Sequence, residues 1–201
     1  MYTPKQFEFE HEAEKIAFMK QYSFATIVTT KAGLPIATQL PFIISENDGK
    51  LILTAHFALA NEQNRYLEEN TNLVIFSTPH AYISPVHYDK LESVPTWDYV
   101  AVHAYGKGKI VHEEDAKMKA LEHMILFYEP AYLDQWSKLS EKYKKGMVKG
   151  IVVFDLEVTD LQAQKKVSQN KNETERKRIA DYLSQSEVSS EKAIADYIRE
   201  I

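Results

Sequence analysis

The sequence predicts a mainly β chain, a small closed or partly closed barrel with added helices and a C-terminal helical tail. Three observations predict it. Short β-branched and aromatic runs recur through residues 24–113 and return at 149–166. Turn signals separate most of them. Helical spacing is confined to residues 12–22, to segments between these runs and to residues 172–201. About six short strands interrupted by helices suit a small barrel, and an open α+β sandwich is the alternative arrangement.

Each element follows in order. Residues 12–22 set Ala13, Ile16, Ala17 and Met19 at helical spacing, a short amphipathic helix. "FATIVTT" reads as a strand, "AGLP" as a turn and "IATQLPFII" as a second strand. Asp48-Gly49 in "ENDGK" is a hairpin signal leading into "LILTA". Three successive antiparallel strands are the economical reading. "NEQNRYLEEN" reads as a helix with Asn61 at its N-cap. "LVIFS" is a further strand. "YVAVHAYGKGKIVHE" is a long one, where Gly106 and Gly108 suggest a bulge or bend. "EEDAKMKALEHMILFYE" is a helix with Ala116, Met118, Leu121, Ile125 and Phe127 along one side, stopped by Pro130. "LDQWSKLSEKYKKGM" reads as another helix, and "KGIVVFDLEVTDLQAQKK" returns to the sheet. Two short helices joined by "SQSEVSS" close the chain. The best boundary, "KKVSQNKNE", divides a body of residues 1–170 from a tail of 171–201 that packs on the barrel or on a dimer partner.

Composition narrows the chemistry. The 201 residues suffice for one domain, or one domain with an appendage. No run approaches the roughly 18 apolar residues that span a membrane. The acidic start "MYTPKQFEFEHEAEK" lacks signal-peptide character, so a cytoplasmic protein is expected. The absence of cysteine excludes disulfides, thiolate metal sites and cysteine nucleophiles. A formal charge of -5 disfavours non-specific nucleic-acid binding, which rests on neutralising phosphates. There is no G-x-S-x-G elbow, G-x-G-x-x-G or P-loop among the six glycines.

Residues 77–106 concentrate flat, polar-tipped side chains. His80, His87 and His103 have no close pair spacing of the kind that marks a metal site, so hydrogen bonding to backbone or a ligand is favoured over metal. Along the strand, Trp97, Tyr99, His103 and Tyr105 fall on one face and Val100 and Val102 on the other. Such a face suits a core or subunit interface, and also a cofactor pocket. The tail loosely has helix-turn-helix form. Its second helix, however, sets Glu191, Asp196 and Glu200 against Lys192 and Arg199, a balance better suited to packing or dimerisation than to DNA.

The stretches "MYTPKQF", "FATIVTTKAGLPIATQLPF", "HFALANEQ", "PHAYISPVHY", "VPTWDYVAVHAYGKGKI" and "KVSQNK" carry a specific resemblance. From Met1 to about Asn170 the chain resembles the PaiB-like family of FMN-binding negative transcriptional regulators. The resemblance implies a split β-barrel that binds FMN, usually at the interface of a homodimer. It implies that Gln39 and Leu40 lie along the flavin ring. His56, Ala60 and Asn61 would form the turn into a helix whose N-terminal amides could hold the phosphate. His80, Tyr82, Ser84, Trp97 and Tyr99 would line the pocket, and Lys166, Ser168, Gln169 and Asn170 would reach the cofactor or the partner. No metal site is implied. The chain departs from the family at Leu59, where an arginine is common, at His87, where a tryptophan is common, and at Asp98, where an asparagine is common. Losing an arginine removes a bidentate contact to phosphate, so FMN is expected to bind weakly, with Lys166 or Arg65 as replacements. The implied function is a flavin-binding regulator with flavin-dependent oxidoreductase activity as a further capacity. The alternatives are a non-enzymatic transcriptional regulator with a DNA or protein partner, and a haem-binding barrel. His80 is the candidate acid–base group.

Overall fold

The first apolar runs fold as two hairpins rather than three successive strands. The computed structural model describes residues 1–201. After helix α1 (Glu12–Gln21) come β1 (Phe24–Lys31) and β2 (Leu34–Pro41), paired in register from Phe24 opposite Pro41 to Lys31 opposite Leu34. Ala32 and Gly33 turn between them, both at positive φ. The expected single strand at 36–44 is broken after Pro41, where Phe42 is fully buried. β3 (Ile43–Asn47) then pairs with β4 (Lys50–Ala58) across Asp48 and Gly49, again at positive φ. The Asp-Gly signal is realised as a hairpin.

The expected helix at 61–70 is only a 3₁₀ turn, Glu62–Tyr66, although Asn61 does cap it. β5 (Thr71–Phe76) follows. A strand not expected from the sequence, β6 (His80–Ile83), lies in the proline-rich segment and pairs with the start of β7 (Thr96–Ile110). Gly106 and Gly108 keep ordinary φ values. A Cβ on Gly106 would lie 2.2 Å from the Glu157 carbonyl oxygen, and one on Gly108 2.3 Å from Leu67 Cγ, so close approach is the reason for both glycines.

Helix α2 (Glu114–Tyr128) ends before Pro130, as the sequence predicts. Met124 is its buried residue, whereas Phe127, expected on the buried side, is 40% exposed and packs on Tyr128. The segment 133–147 forms two helices, α3 (Leu133–Lys138) and α4 (Glu141–Lys149), because the Ser140 hydroxyl caps a new start. β8 (Ile151–Lys166), α5 (Glu173–Ser184) and α6 (Ser189–Arg199) complete the chain.

The strand order is β2-β1-β5-β7-β8-β4-β3, with β6 on β7. The two strands at the ends of this order, β2 and β3, are joined by the single residue Phe42, and β2 also lies against β4. A sheet whose ends meet in this way is rolled into a barrel. Two compact units are present. One comprises residues 1–15, 76–103 and 162–201, with Phe7, Ile83, Val100, Ile179, Leu183 and Ile194 in its core. The other comprises residues 16–75 and 104–161. Its core contains Phe57 stacked on Phe154 at 4.9 Å, with Phe42 edge-on to Phe154 at 6.2 Å. β7 and β8 each run through both units. No helix is long and apolar enough to cross a membrane.

Candidate functional site

In the unit of residues 16–75 and 104–161, the turn after β4 is fixed by a chain of polar side chains. Gln63 is 2% exposed. Its amide nitrogen donates to the Ile27 carbonyl at 3.1 Å and to Thr29 Oγ1 at 3.0 Å. Its amide oxygen accepts from Thr38 Oγ1 at 2.7 Å, and Asn61 Nδ2 donates to Thr38 Oγ1 at 3.0 Å. Thr29 Oγ1 continues the chain to Asn72 Oδ1 at 2.7 Å, and Asn72 donates to the Leu67 carbonyl at 2.8 Å. Every link satisfies a group whose burial alone would cost about 1–3 kcal/mol. No sequence motif announces this network. Its visible signal is Thr29 at a core-facing position of β1, in step with Ala25 and Ile27.

Three amides of this turn bond within the protein. Gln63 N donates to Asn61 Oδ1 at 3.0 Å, Asn61 N to the Ala58 carbonyl at 2.9 Å and Asn64 N to the Asn61 carbonyl at 3.3 Å. A single 3₁₀ turn thus stands where a helix was expected. Ala60 is exposed and Asn61 half-buried, as a turn requires. His56 does not belong to the turn but to β4, opposite Val153 of β8. Burial holds its imidazole below the usual histidine range, so it is neutral at pH 7, and Nδ1 is buried without a partner. It borders an open groove of about 500 Å³ with Leu121, Met124, Ile125, Tyr128 and Trp136. Gln39 and Leu40 face opposite sides of β2: Gln39 is exposed and Leu40 is in the core. Leu59 is exposed at the surface of the turn.

In the other unit, the β6–β7 pairing gathers the aromatic candidates. Tyr82 stands opposite Trp97, with ring centroids 5.8 Å apart in an edge-to-face arrangement. His80 stands opposite Tyr99, and its ring lies 5.9 Å from Trp97. Trp97 is 53% exposed and Tyr82 46% exposed. These rings form a surface face, while Ala81, Ile83, Asp98 and Val100 point inward. The Tyr99 hydroxyl donates to Gln164 Oε1 at 2.9 Å. Ser84 caps the short turn Pro85–His87, accepting from Val86 N at 3.3 Å. His87 packs on Tyr182 at 4.9 Å, apart from the aromatic face. No group of three His, Asp or Glu side chains converges as a metal site.

The "KVSQN" residues mostly bind inward. Lys166 donates to Thr96 Oγ1 and to the Trp97 carbonyl, and lies 3.8 Å from Asp98 Oδ1. Ser168, at φ 60° and 3% exposed, donates to Asp98 Oδ2 at 2.6 Å. Asp98 is fully buried, and its Oδ1 has no hydrogen-bond partner. Burial raises its carboxyl pKa, and the Ser168 hydroxyl and Lys166 ammonium oppose the rise. Burial likewise lowers Lys166, with Asp98 opposing. Asp98 is therefore not a surface charge beside an anionic ligand, and Lys166 is not free to replace the missing arginine. Gln169 closes a local loop, accepting from Val167 N at 2.8 Å and donating to the Lys165 carbonyl, while Asn170 is exposed.

Residues 1–160 match the family described as "Putative FMN-binding domain". Along its whole length the chain is 41% identical over 204 residues to the Protease synthase and sporulation protein PAI 2 of Bacillus subtilis (strain 168), covering 97% of that protein. Among solved structures it is similar to the flavocytochrome Anf3 from Azotobacter vinelandii, with a TM-score of 0.62 and 15% identity over 78% of this chain and 68% of that one. It is also similar to the FAD and heme binding protein from Mycobacterium smegmatis, with a TM-score of 0.60 and 14% identity over 78% of this chain and 71% of that one. At these identities the two structures show a shared fold, the split barrel. With the strand order, the family match and the full-length relative in agreement, the chain belongs to the FMN-binding split-barrel family that includes the PAI 2 protein.

Proposed function

We propose that this chain binds FMN against the exposed face formed by His80, Tyr82 and Trp97, and that it acts as a flavin-binding regulator of the PAI 2 type. The observation that carries this reading is the face itself. Two rings, each about half exposed, are held edge-to-face on a paired strand rather than buried. A planar isoalloxazine suits such a surface, which offers stacking area at little conformational cost. Bound flavin would supply redox chemistry, and this chain would supply binding and orientation.

The chain carries Leu59 where the family commonly has an arginine, and Lys166 is bound inward, so FMN binds less tightly than the family pattern implies. Val86, Leu91 and Val94, each more than three-quarters exposed between β6 and β7, supply an apolar surface for a second copy of the chain.

The test is the visible absorption of purified protein, mixed with FMN and then desalted. Retained flavin absorbance, lost in Trp97→Ala, is the expected result. Wild-type protein that neither retains FMN nor shows a saturable change in tryptophan fluorescence up to millimolar FMN would overturn the reading.

A further inference from the structure

The two C-terminal helices grip the segment that carries the aromatic face, and do so through side chains that bond to its backbone. β6 pairs only with β7, so one of its edges is open. Ser190, in the first turn of α6, fills that edge. Its hydroxyl accepts from His80 N at 2.7 Å and donates to the His80 carbonyl at 2.6 Å. One side chain thus takes both backbone groups that an adjacent strand would take.

Helix α5 holds the other end of the same segment. Asn172 and Glu175 form its capping box. The same Glu175 carboxylate accepts from Asp89 N at 2.9 Å, and Asn172 Nδ2 donates to Asp89 Oδ2 at 2.9 Å. Arg178 donates to Asp89 Oδ1 at 2.6 Å and to the His87 carbonyl at 2.9 Å. The Tyr182 ring lies on His87. Residues 80–89, which include His80 and Tyr82, are therefore fastened at both ends to the tail.

We propose that the tail sets the geometry of the flavin-binding face, with Ser190 and Arg178 as positioning residues, so that flavin occupancy and tail docking are thermodynamically linked. This rests on the flavin reading above. Neither residue presents a group to the face itself; each acts through the backbone that carries it. Linkage is reciprocal: whatever factor tail docking adds to flavin affinity, bound flavin adds to tail docking. A flavin-binding regulator built this way reports occupancy through the exposed surface of α5 and α6.

The test compares wild type, Ser190→Ala, Ser190→Thr and Arg178→Ala as full-length protein. It uses amide hydrogen exchange, FMN titration and thermal unfolding. Loss of two backbone hydrogen bonds in Ser190→Ala is expected to speed exchange across residues 80–83 and to weaken FMN binding about tenfold. Thermal unfolding should move little, and Thr should restore both readouts. Arg178→Ala should do the same through residues 87–89. FMN added to wild type should slow exchange in α6. Unchanged exchange at 80–83 in Ser190→Ala would overturn the proposal. So would equal FMN affinity in the variant and in a wild type that binds FMN, an outcome that leaves the flavin reading standing. A wild type that binds no FMN removes both.

Discussion

Replacing Trp97 with alanine is expected to weaken flavin binding about tenfold. Trp97 is 53% exposed and meets Tyr82 edge-to-face at 5.8 Å, so its ring presents area to a ligand without filling the core. The Lys166 ammonium holds the Trp97 carbonyl, not its ring, so that backbone contact survives the truncation. An aromatic pair contributes about 0.5–1.5 kcal/mol beyond the area it buries. A loss of about 1.4 kcal/mol corresponds to tenfold. The assay is a pair of titrations, one with FMN and one with riboflavin, which lacks the phosphate. The loss should be equal for the two ligands and should not change with added salt, because stacking neutralises no charge. Trp97→Phe should recover part of it. Unchanged affinity for both ligands, or a loss confined to FMN, would refute the assignment of the ring to this face.

Two further predictions concern the scaffold. Gly108→Ala should destabilise the protein by about 1–3 kcal/mol in denaturant unfolding, because its Cβ meets the fully buried Leu67 at 2.3 Å; the same substitution should cost less in a Leu67→Ala background, read as a double-mutant cycle, and a neutral Gly108→Ala would show that the contact is not limiting. Asp98→Asn should gain stability relative to wild type as pH rises. The folded Asp98 pKa is raised from its ordinary 3.8, so the native state holds its proton more tightly than the unfolded chain. Its contribution is greatest at low pH and is lost as pH climbs from 3.8 through the folded value. Asparagine has no such loss, so parallel stability curves over that window would show that Asp98 is not the titrating group.

Much of the fold was legible because alternation and turn chemistry are local. The Asp48-Gly49 hairpin, the stop at Pro130, the Asn61 cap and the alternating faces of β7 all follow from a few neighbouring residues. β6 was not legible: four residues flanked by prolines carry too little pattern, and only pairing with β7 makes them a strand. The break at Phe42 was missed for a similar reason, since a proline such as Pro41 is tolerated on an edge strand and only closure of the barrel requires the chain to leave one sheet end and begin the other.

The candidate site divides in the same way. Sequence motifs singled out His80, Tyr82 and Trp97, and the structure sets them on one exposed face. The motif "KVSQN" carried no sign that Lys166 and Ser168 turn inward to Asp98, 68 and 70 residues earlier in the chain. The capping pattern at Asn172 and Glu175 was readable, but its second use, holding Asp89 N, depends on a chain segment more than 80 residues away. The sequence by itself determined the strands, the turns, the family and the residue types available to a flavin. Which of those side chains face outward, which are consumed by partners inside the protein, and how the tail fastens the aromatic segment were decided by tertiary structure, because burial and hydrogen-bond pairing depend on residues that come together only when the chain folds.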